Sequence, residues 1–177
     1  LPDPGSGAPR LTDGPCGHDA HEGVLGPRLL RAPTYPDPEA DRGAHHFTYA
    51  LLPHLGDWRT GDVIRQGYDL NAPALALPVP AQPGGSLPPV YSQFALDAPN
   101  IILETVKQAE DGDGLILRLY EAWGARTRAG LTLPAGATAV ACTPLETPLE
   151  GETLSAGPVG LELRPFELRT LRVRLGS

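Results

Sequence analysis

Residues 101–123 read IILETVKQAEDGDGLILRLYEAW, and this stretch decides the fold. Two apolar runs, 101–109 and 114–123, flank the turn sequence EDGDG at 110–114. Glycine reaches the positive φ of a tight hairpin at no steric cost. The stretch therefore predicts a β-hairpin.

Short apolar runs continue through the rest of the C-terminal half. The chain contains 21 glycines and 21 prolines, and most of them lie between such runs. This spacing is typical of a β-sandwich. Besides the hairpin, strands are predicted over residues 93–96, 129–133, 137–143, 159–163 and 166–175.

The last of these strands has a clear alternation. Leu171, Val173 and Leu175 are predicted to face inward, whereas Thr170, Arg172 and Arg174 are predicted to form a solvated outer face. We expect Phe166, just before them, to lie in the core.

The N-terminal half is less regular. Its first 25 residues contain few apolar side chains and predict a loop or tether, with order resuming over 24–32. Alternation over 45–52 predicts a strand covered on both sides. One short helix is predicted within 57–70, capped by Asp57 or Thr60.

Prolines and glycines concentrated in residues 72–90 predict a boundary there. The fold class expected is all-β: a partial super-sandwich with one short helix over 1–90, followed by a smaller Ig-like β-sandwich over 91–177. The chain lacks methionine and begins at Leu1, so we expect it to be a piece of something longer.

The charge balance restricts the partners. With 14 basic and 21 acidic residues the formal net charge is −7, which argues against nucleic acid and an anionic membrane surface as partners. No run approaches the roughly 18 apolar residues of a spanning helix. Cys16 and Cys142 lie far apart, and we expect free thiols in the cytoplasm, although one long-range disulfide stays open.

Two segments of the sequence have residues that could bind a metal ion. All 5 histidines lie in the first 54 residues, but neighbours such as His45 and His46 point to opposite faces of a strand. Asp37, Glu39 and Asp41 resemble the start of a calcium loop, yet the glycine and the closing acid are misplaced. A solvated acidic turn is favoured, and no metal site is predicted.

Catalytic motifs are missing from the sequence. It contains no Gly-x-Ser-x-Gly elbow, no phosphate-binding glycine loop and no CxxC pair. Aromatic residues such as Trp58 and Trp123 could stack on sugar rings, but packing is the favoured role of Trp123, at a strand end.

Longer irregular segments resemble a known family. LLRAPTYPDPEADRG at 29–43 and HFTYAL at 46–51 resemble the C-terminal region of glycoside hydrolase family 38 α-mannosidases. ETVK at 104–107, RLYE at 118–121 and RPFELRTL at 164–171 are similar to the final β-sandwich of the same family.

The resemblance implies a parent enzyme that hydrolyses α-mannosides with retention, using a carboxylate nucleophile, an acid/base carboxylate and zinc. All of these groups belong to the family's N-terminal catalytic domain, so no catalytic or metal residue is assigned here, and the fragment alone is expected to be inactive. The implied partners are that domain and a mannose-containing carbohydrate.

The GHD stretch at 17–19 is similar to a loop region near the sugar site in the family. We therefore predict that His18 and Asp19 approach the substrate-binding cleft, with a weaker case for Asp41 and Arg42, for which a turn or internal ion pair is favoured. The alternative function is a stand-alone carbohydrate-binding or homo-oligomerising β-sandwich without catalysis.

Overall fold

The computed structural model describes residues 6–14, 17–22, 24–80, 84–154 and 159–176. The chain divides into two compact units, 1–79 and 80–177. Cys16, predicted to be a free thiol, lies outside the described residues, whereas Cys142 is buried and free. No helix in the described ranges is long and apolar enough to cross a membrane.

Unit 2, residues 80–177, is a β-sandwich. Its strands, in chain order, are β7 (Ala95–Leu96), β8 (Ile101–Gln108), β9 (Leu115–Glu121), β10 (Thr127–Thr132), β11 (Thr138–Cys142), β12 (Pro148–Leu154), β13 (Val159–Leu163) and β14 (Leu168–Arg174). A five-stranded sheet has the order β12-β11-β14-β9-β8, and a three-stranded sheet has the order β13-β10-β7. All of the pairings are antiparallel.

The core of unit 2 lies between these sheets. Leu117 and Leu171 from the larger sheet and Leu131 and Leu163 from the smaller one are fully buried in one apolar cluster. Burying such side chains stabilises a fold by about 1.5–3 kcal/mol each. The predicted all-β sandwich class is therefore confirmed.

The hairpin predicted from residues 101–123 joins β8 to β9. The Ala109 N–H donates to the Gly114 carbonyl at 3.0 Å. Gly112 and Gly114 have φ of 77° and 90°, which only glycine adopts readily. β12 was not predicted, because its polar sequence PLEGETL lacks a clear alternation.

Three predictions about the last strand and the residues beside it are wrong. Thr170 and Arg172 are buried, not solvated. The turns at 110–113 and 143–147 cover Arg172 on the outer face of β14. Phe166 is 68% exposed, not in the core, since its backbone has φ of 57° in the turn before β14. Leu175 is exposed beyond the end of this strand.

Unit 1, residues 1–79, consists of short secondary-structure elements. It contains β1 (Ser6–Gly7), β2 (Arg10–Thr12), β3 (Gly17–His21), β4 (Val24–Arg28), β5 (Tyr49–Leu51), β6 (His54–Leu55) and α1 (Val63–Asn71). The strands pair as β1-β6, β2-β5 and β3-β4, each a two-stranded sheet. No residue described in this unit is buried.

The structure corrects two predictions about unit 1. The described part of the first 25 residues is not simply a tether, because β2 pairs with β5 and β3 with β4; residues 1–5, 15, 16 and 23 lie outside the described residues. The strand predicted over 45–52 is shorter, and Tyr49 and Leu51 are exposed, so it is not covered on both sides. Pairing with a segment distant in sequence supplies order that local composition does not indicate.

The predicted helix is present as α1. Asp57 does not cap it; its carboxylate accepts the Arg59 and Thr60 N–H groups, both at 3.0 Å, in the preceding turn. Asp62 occupies the N-cap position with φ of 55° and makes no side-chain capping bond. The Asn71 Nδ2 donates to the Thr12 carbonyl at 3.0 Å and joins α1 to β2.

Candidate functional site

The predicted substrate-contacting residues lie on the β3–β4 hairpin. His18 is opposite Pro27 and Asp19 is opposite Gly26, so the two side chains belong to opposite faces. Every residue of β3 is exposed. The structure therefore presents His18 and Asp19 to solvent but does not bring them together.

Asp19 shares its face of the hairpin with Gly17 and Arg28, which are paired across the strands. Gly17, Arg28, Leu30 and Arg31 line a cleft of about 590 Å³. Sequence analysis did not single out these arginines. The sequence did carry a signal for this cleft. Gly17 precedes Asp19 on the same face and Gly26 is opposite it, so this face of the hairpin has few side chains.

The other histidines are dispersed. His21 lies 3.6 Å from Glu22, His45 donates to the Asp41 carbonyl at 2.7 Å, and the His54 ring packs on Gly61. No group of three or more His, Cys, Asp or Glu side chains in the described part of the chain could hold a metal ion.

The acidic segment at 37–43 forms local contacts. Asp37 accepts the Glu39 N–H at 2.9 Å, and Arg42 pairs with Glu39 at 2.5 Å. Asp41 has φ of 60°. The carboxylates therefore stabilise a turn and an internal ion pair and do not converge as calcium ligands.

Among the described carboxylates of unit 2 the most buried is that of Glu121, which the sequence analysis missed. Its oxygens accept N–H groups from Trp123, Gly124, Ala125 and Phe166 at 2.7–3.1 Å. The Asn100 Nδ2 adds a further bond at 2.8 Å. The alternation of β9 signals this position, because Glu121 shares the inward parity of Leu117 and Leu119.

Glu121 is ionised at neutral pH. Burial alone would raise its pKa, but the hydrogen bonds from Phe166, Trp123, Asn100 and Ala125 outweigh this effect and hold the pKa below its usual value. The carboxylate thus fastens the loop after β9 to the turn before β14.

A second polar cluster explains the buried Arg172. Its guanidinium donates to the Asp111 carboxylate at 2.7 Å and to the Glu146 carbonyl at 3.2 Å. The Glu146 carboxylate in turn accepts from Lys107 Nζ at 2.7 Å and from the Glu110 N–H at 2.9 Å. The bond from Lys107 is the main cause that lowers the pKa of Glu146.

These two clusters have structural roles. Their buried carboxylates accept from several donors each, an arrangement that satisfies buried charge rather than leaving it available for proton transfer. Fold and site together define the class of protein: a β-sandwich whose buried charges hold its loops, accompanied by a unit of two-stranded sheets.

Comparison with known proteins gives the family. Residues 100–171 match the glycosyl hydrolases family 38 C-terminal beta sandwich domain. The C-terminal β-sandwich therefore resembles this domain, and over most of its length the chain resembles the C-terminal region of family 38 α-mannosidases.

Several relatives are similar over nearly the entire chain. Human alpha-mannosidase 2C1 is 39% identical over 97% of it, and the mouse protein of the same name is 42% identical over 87%. Alpha-mannosidase G of Dictyostelium discoideum is 31% identical over 92%. The chain spans only 17% of the length of the human protein and 15% of each of the other two.

Proposed function

We propose that this chain is the C-terminal β-sandwich region of a larger retaining glycoside hydrolase that removes terminal α-mannosyl residues. The similarity to alpha-mannosidases along 97% of the chain carries this proposal. Catalysis belongs to the parent's N-terminal domain, and the role of this region is to support that domain and form part of the rim of its cleft.

The exposed apolar side chains of unit 1 support such packing. Val24, Leu25, Tyr49 and Leu51 are all exposed, and two-stranded sheets are marginally stable in water by themselves. A catalytic domain that covers these strands would bury apolar surface and stabilise them. We propose that domain as the partner of unit 1.

Zinc belongs, in this proposal, to the parent's catalytic domain. The donor groups described here do not fit a metal ion, since no three of them cluster. No zinc-dependent step is therefore assigned to this chain. We further propose a cytoplasmic location, which the free thiol of Cys142 favours.

The proposal is tested by hydrolysis of an aryl α-mannoside. We expect activity from the full-length parent with zinc and none from this chain under the same conditions. Zinc-dependent turnover by this chain would contradict the assignment of catalysis to the other domain. An inactive parent would contradict the proposed activity itself.

The contribution of the hairpin to the cleft is tested separately. His18→Ala and Asp19→Asn in the full-length protein should lower kcat/KM by about tenfold or more, because a lost bond to a charged or polar substrate group costs about 1.5 kcal/mol or more. Thermal unfolding should be unchanged, since both side chains are exposed. His46→Ala is the matched control, and unchanged kinetics in the hairpin variants would remove both residues from the site.

A stand-alone carbohydrate-binding module is the second candidate. Exposed Tyr35 and Tyr91 favour it, as aromatic faces suit sugar rings. Trp58 favours it less, because the Arg59 guanidinium already lies 4.5 Å from its ring centroid. Titration of this chain with mannose oligosaccharides should give no saturable response if the first proposal is right.

A further inference from the structure

Arginine partners differ between the β3–β4 hairpin and the rest of the described chain. Elsewhere in the described chain every arginine except Arg10 pairs with a carboxylate, as Arg42 does with Glu39, Arg126 with Glu162 and Arg174 with Asp113. Within the described residues, Arg28 and Arg31 have neither a hydrogen-bonded acceptor nor a carboxylate within ion-pair distance. Two guanidinium groups whose N–H donors have no acceptor among the described residues therefore occur close together in the sequence.

Both arginines line the same cleft, together with Gly17 and Leu30. Gly17 and Arg28 are cross-strand partners, and a Cβ added at Gly17 would lie 3.4 Å from Arg28 Cδ. The stem of Arg28 therefore lies along the bare backbone of β3. This packing fixes the first carbons of the side chain and reduces the entropy lost when the guanidinium binds a ligand.

The described residues that line the cleft carry one sign of charge. They include two arginines and no acidic residue, although the chain as a whole has a net charge of −7. Asp19 is on the same face as Arg28, but it stands opposite Gly26 and forms no ion pair with either arginine in the described structure. A concave surface of this kind attracts anions.

The donor geometry selects the chemical class of ligand. Each guanidinium is a planar fork of N–H donors that matches two oxygens of a carboxylate or phosphate group. We propose that Arg28 and Arg31 form a binding site for an oxyanion group, a carboxylate or a phosphate, at the base of the β3–β4 hairpin. This site does not depend on the proposed mannosidase activity.

The test is a titration of the ¹⁵N-labelled 177-residue chain with inorganic phosphate and, in a separate arm, with acetate, at constant ionic strength. We expect saturable amide shifts confined to residues 17 and 28–31. Saturation with phosphate alone or acetate alone identifies the oxyanion, and either result supports the site. No saturable shift in either arm, or shifts spread over the surface, would overturn it.

Substitutions test the two arginines directly. Arg28→Gln and Arg31→Gln should each weaken binding by about tenfold, since a charge-assisted hydrogen bond is lost. Arg28→Lys and Arg31→Lys retain the charge and should weaken it less. Arg10→Gln is the matched control, because Arg10 does not line the cleft. Equal affinity in the Gln variants and the control would overturn the proposal; the wild-type shifts decide it even if a variant fails to fold.

Discussion

The single carboxylate of Glu121 organises one end of the sandwich. Glu121→Gln should lower the free energy of unfolding by about 2–4 kcal/mol, because an amide has one acceptor oxygen and would leave buried backbone N–H groups unsatisfied. Urea unfolding of the chain measures this change.

Glu104→Gln is the control for Glu121, since Glu104 is an exposed glutamate on the neighbouring strand β8. It should change stability by less than about 0.5 kcal/mol. A loss in Glu121→Gln no larger than that in the control would show that the loop does not depend on this carboxylate.

Gly114 is the residue that closes the β8–β9 hairpin. Gly114→Ala should destabilise unit 2 by about 1–2 kcal/mol or more, because φ is 90° and the new Cβ would lie 2.5 Å from the Val173 carbonyl oxygen. Thermal unfolding is the measurement. Gly160→Ala, where a Cβ meets no atom within 4 Å, should be nearly neutral, and equal effects at both positions would contradict the argument.

At the scale of elements, the turn between β13 and β14 is held by Glu167. Its carboxylate accepts the Arg164 N–H at 2.9 Å and the Arg169 guanidinium at 2.6 Å. These hydrogen bonds lower the pKa of Glu167 to about 2. The bond from the Arg164 backbone N–H has the largest effect, and the bond from Arg169 has the second largest.

This turn should contribute a pH-dependent stability. Because the pKa of Glu167 falls on folding from 4.5 to about 2, the ionised carboxylate stabilises the fold fully above pH 4.5 and progressively less as the pH falls toward 2. Urea midpoints measured across this interval should fall less steeply for Glu167→Gln than for the wild type. If the urea midpoints of the wild type and of Glu167→Gln fell equally steeply with pH, the proposed role of this carboxylate would be wrong.

Elements were predicted where the local signal is strong, although α1 begins later than its predicted caps. The EDGDG turn, the alternation of β9 and the helical period of α1 are properties of neighbouring residues, and the structure contains all three elements. The strands β2 and β3 were missed because few apolar residues occur there and each depends on a partner strand. β12 was missed for the same reason.

At the scale of the whole molecule, the two units differ in burial. Unit 2 contains a buried apolar cluster, whereas no residue described in unit 1 is buried. We expect the amides of α1 and of β2 to β6 to exchange hydrogen much faster than those of β9 and β14, because local opening there exposes no core.

Hydrogen exchange followed by mass spectrometry measures this difference, and the same peptides in the full-length parent are the comparison. Unit 1 should be protected in the parent if the catalytic domain covers it. Equal protection of both units in this chain would contradict the argument from burial, and unchanged exchange in the parent would contradict the proposed packing.

The sequence by itself determined the all-β class, the central hairpin, the short helix and the resemblance to family 38, because turn residues, alternation and long irregular motifs are local properties of the chain. Only the tertiary structure decided which polar side chains are buried. Alternation assigns Arg172 to the outer face of β14, but it does not reveal that distant turns cover that face. Likewise, Glu121 acquires its role from donors at residues 100 and 166, which folding alone brings together.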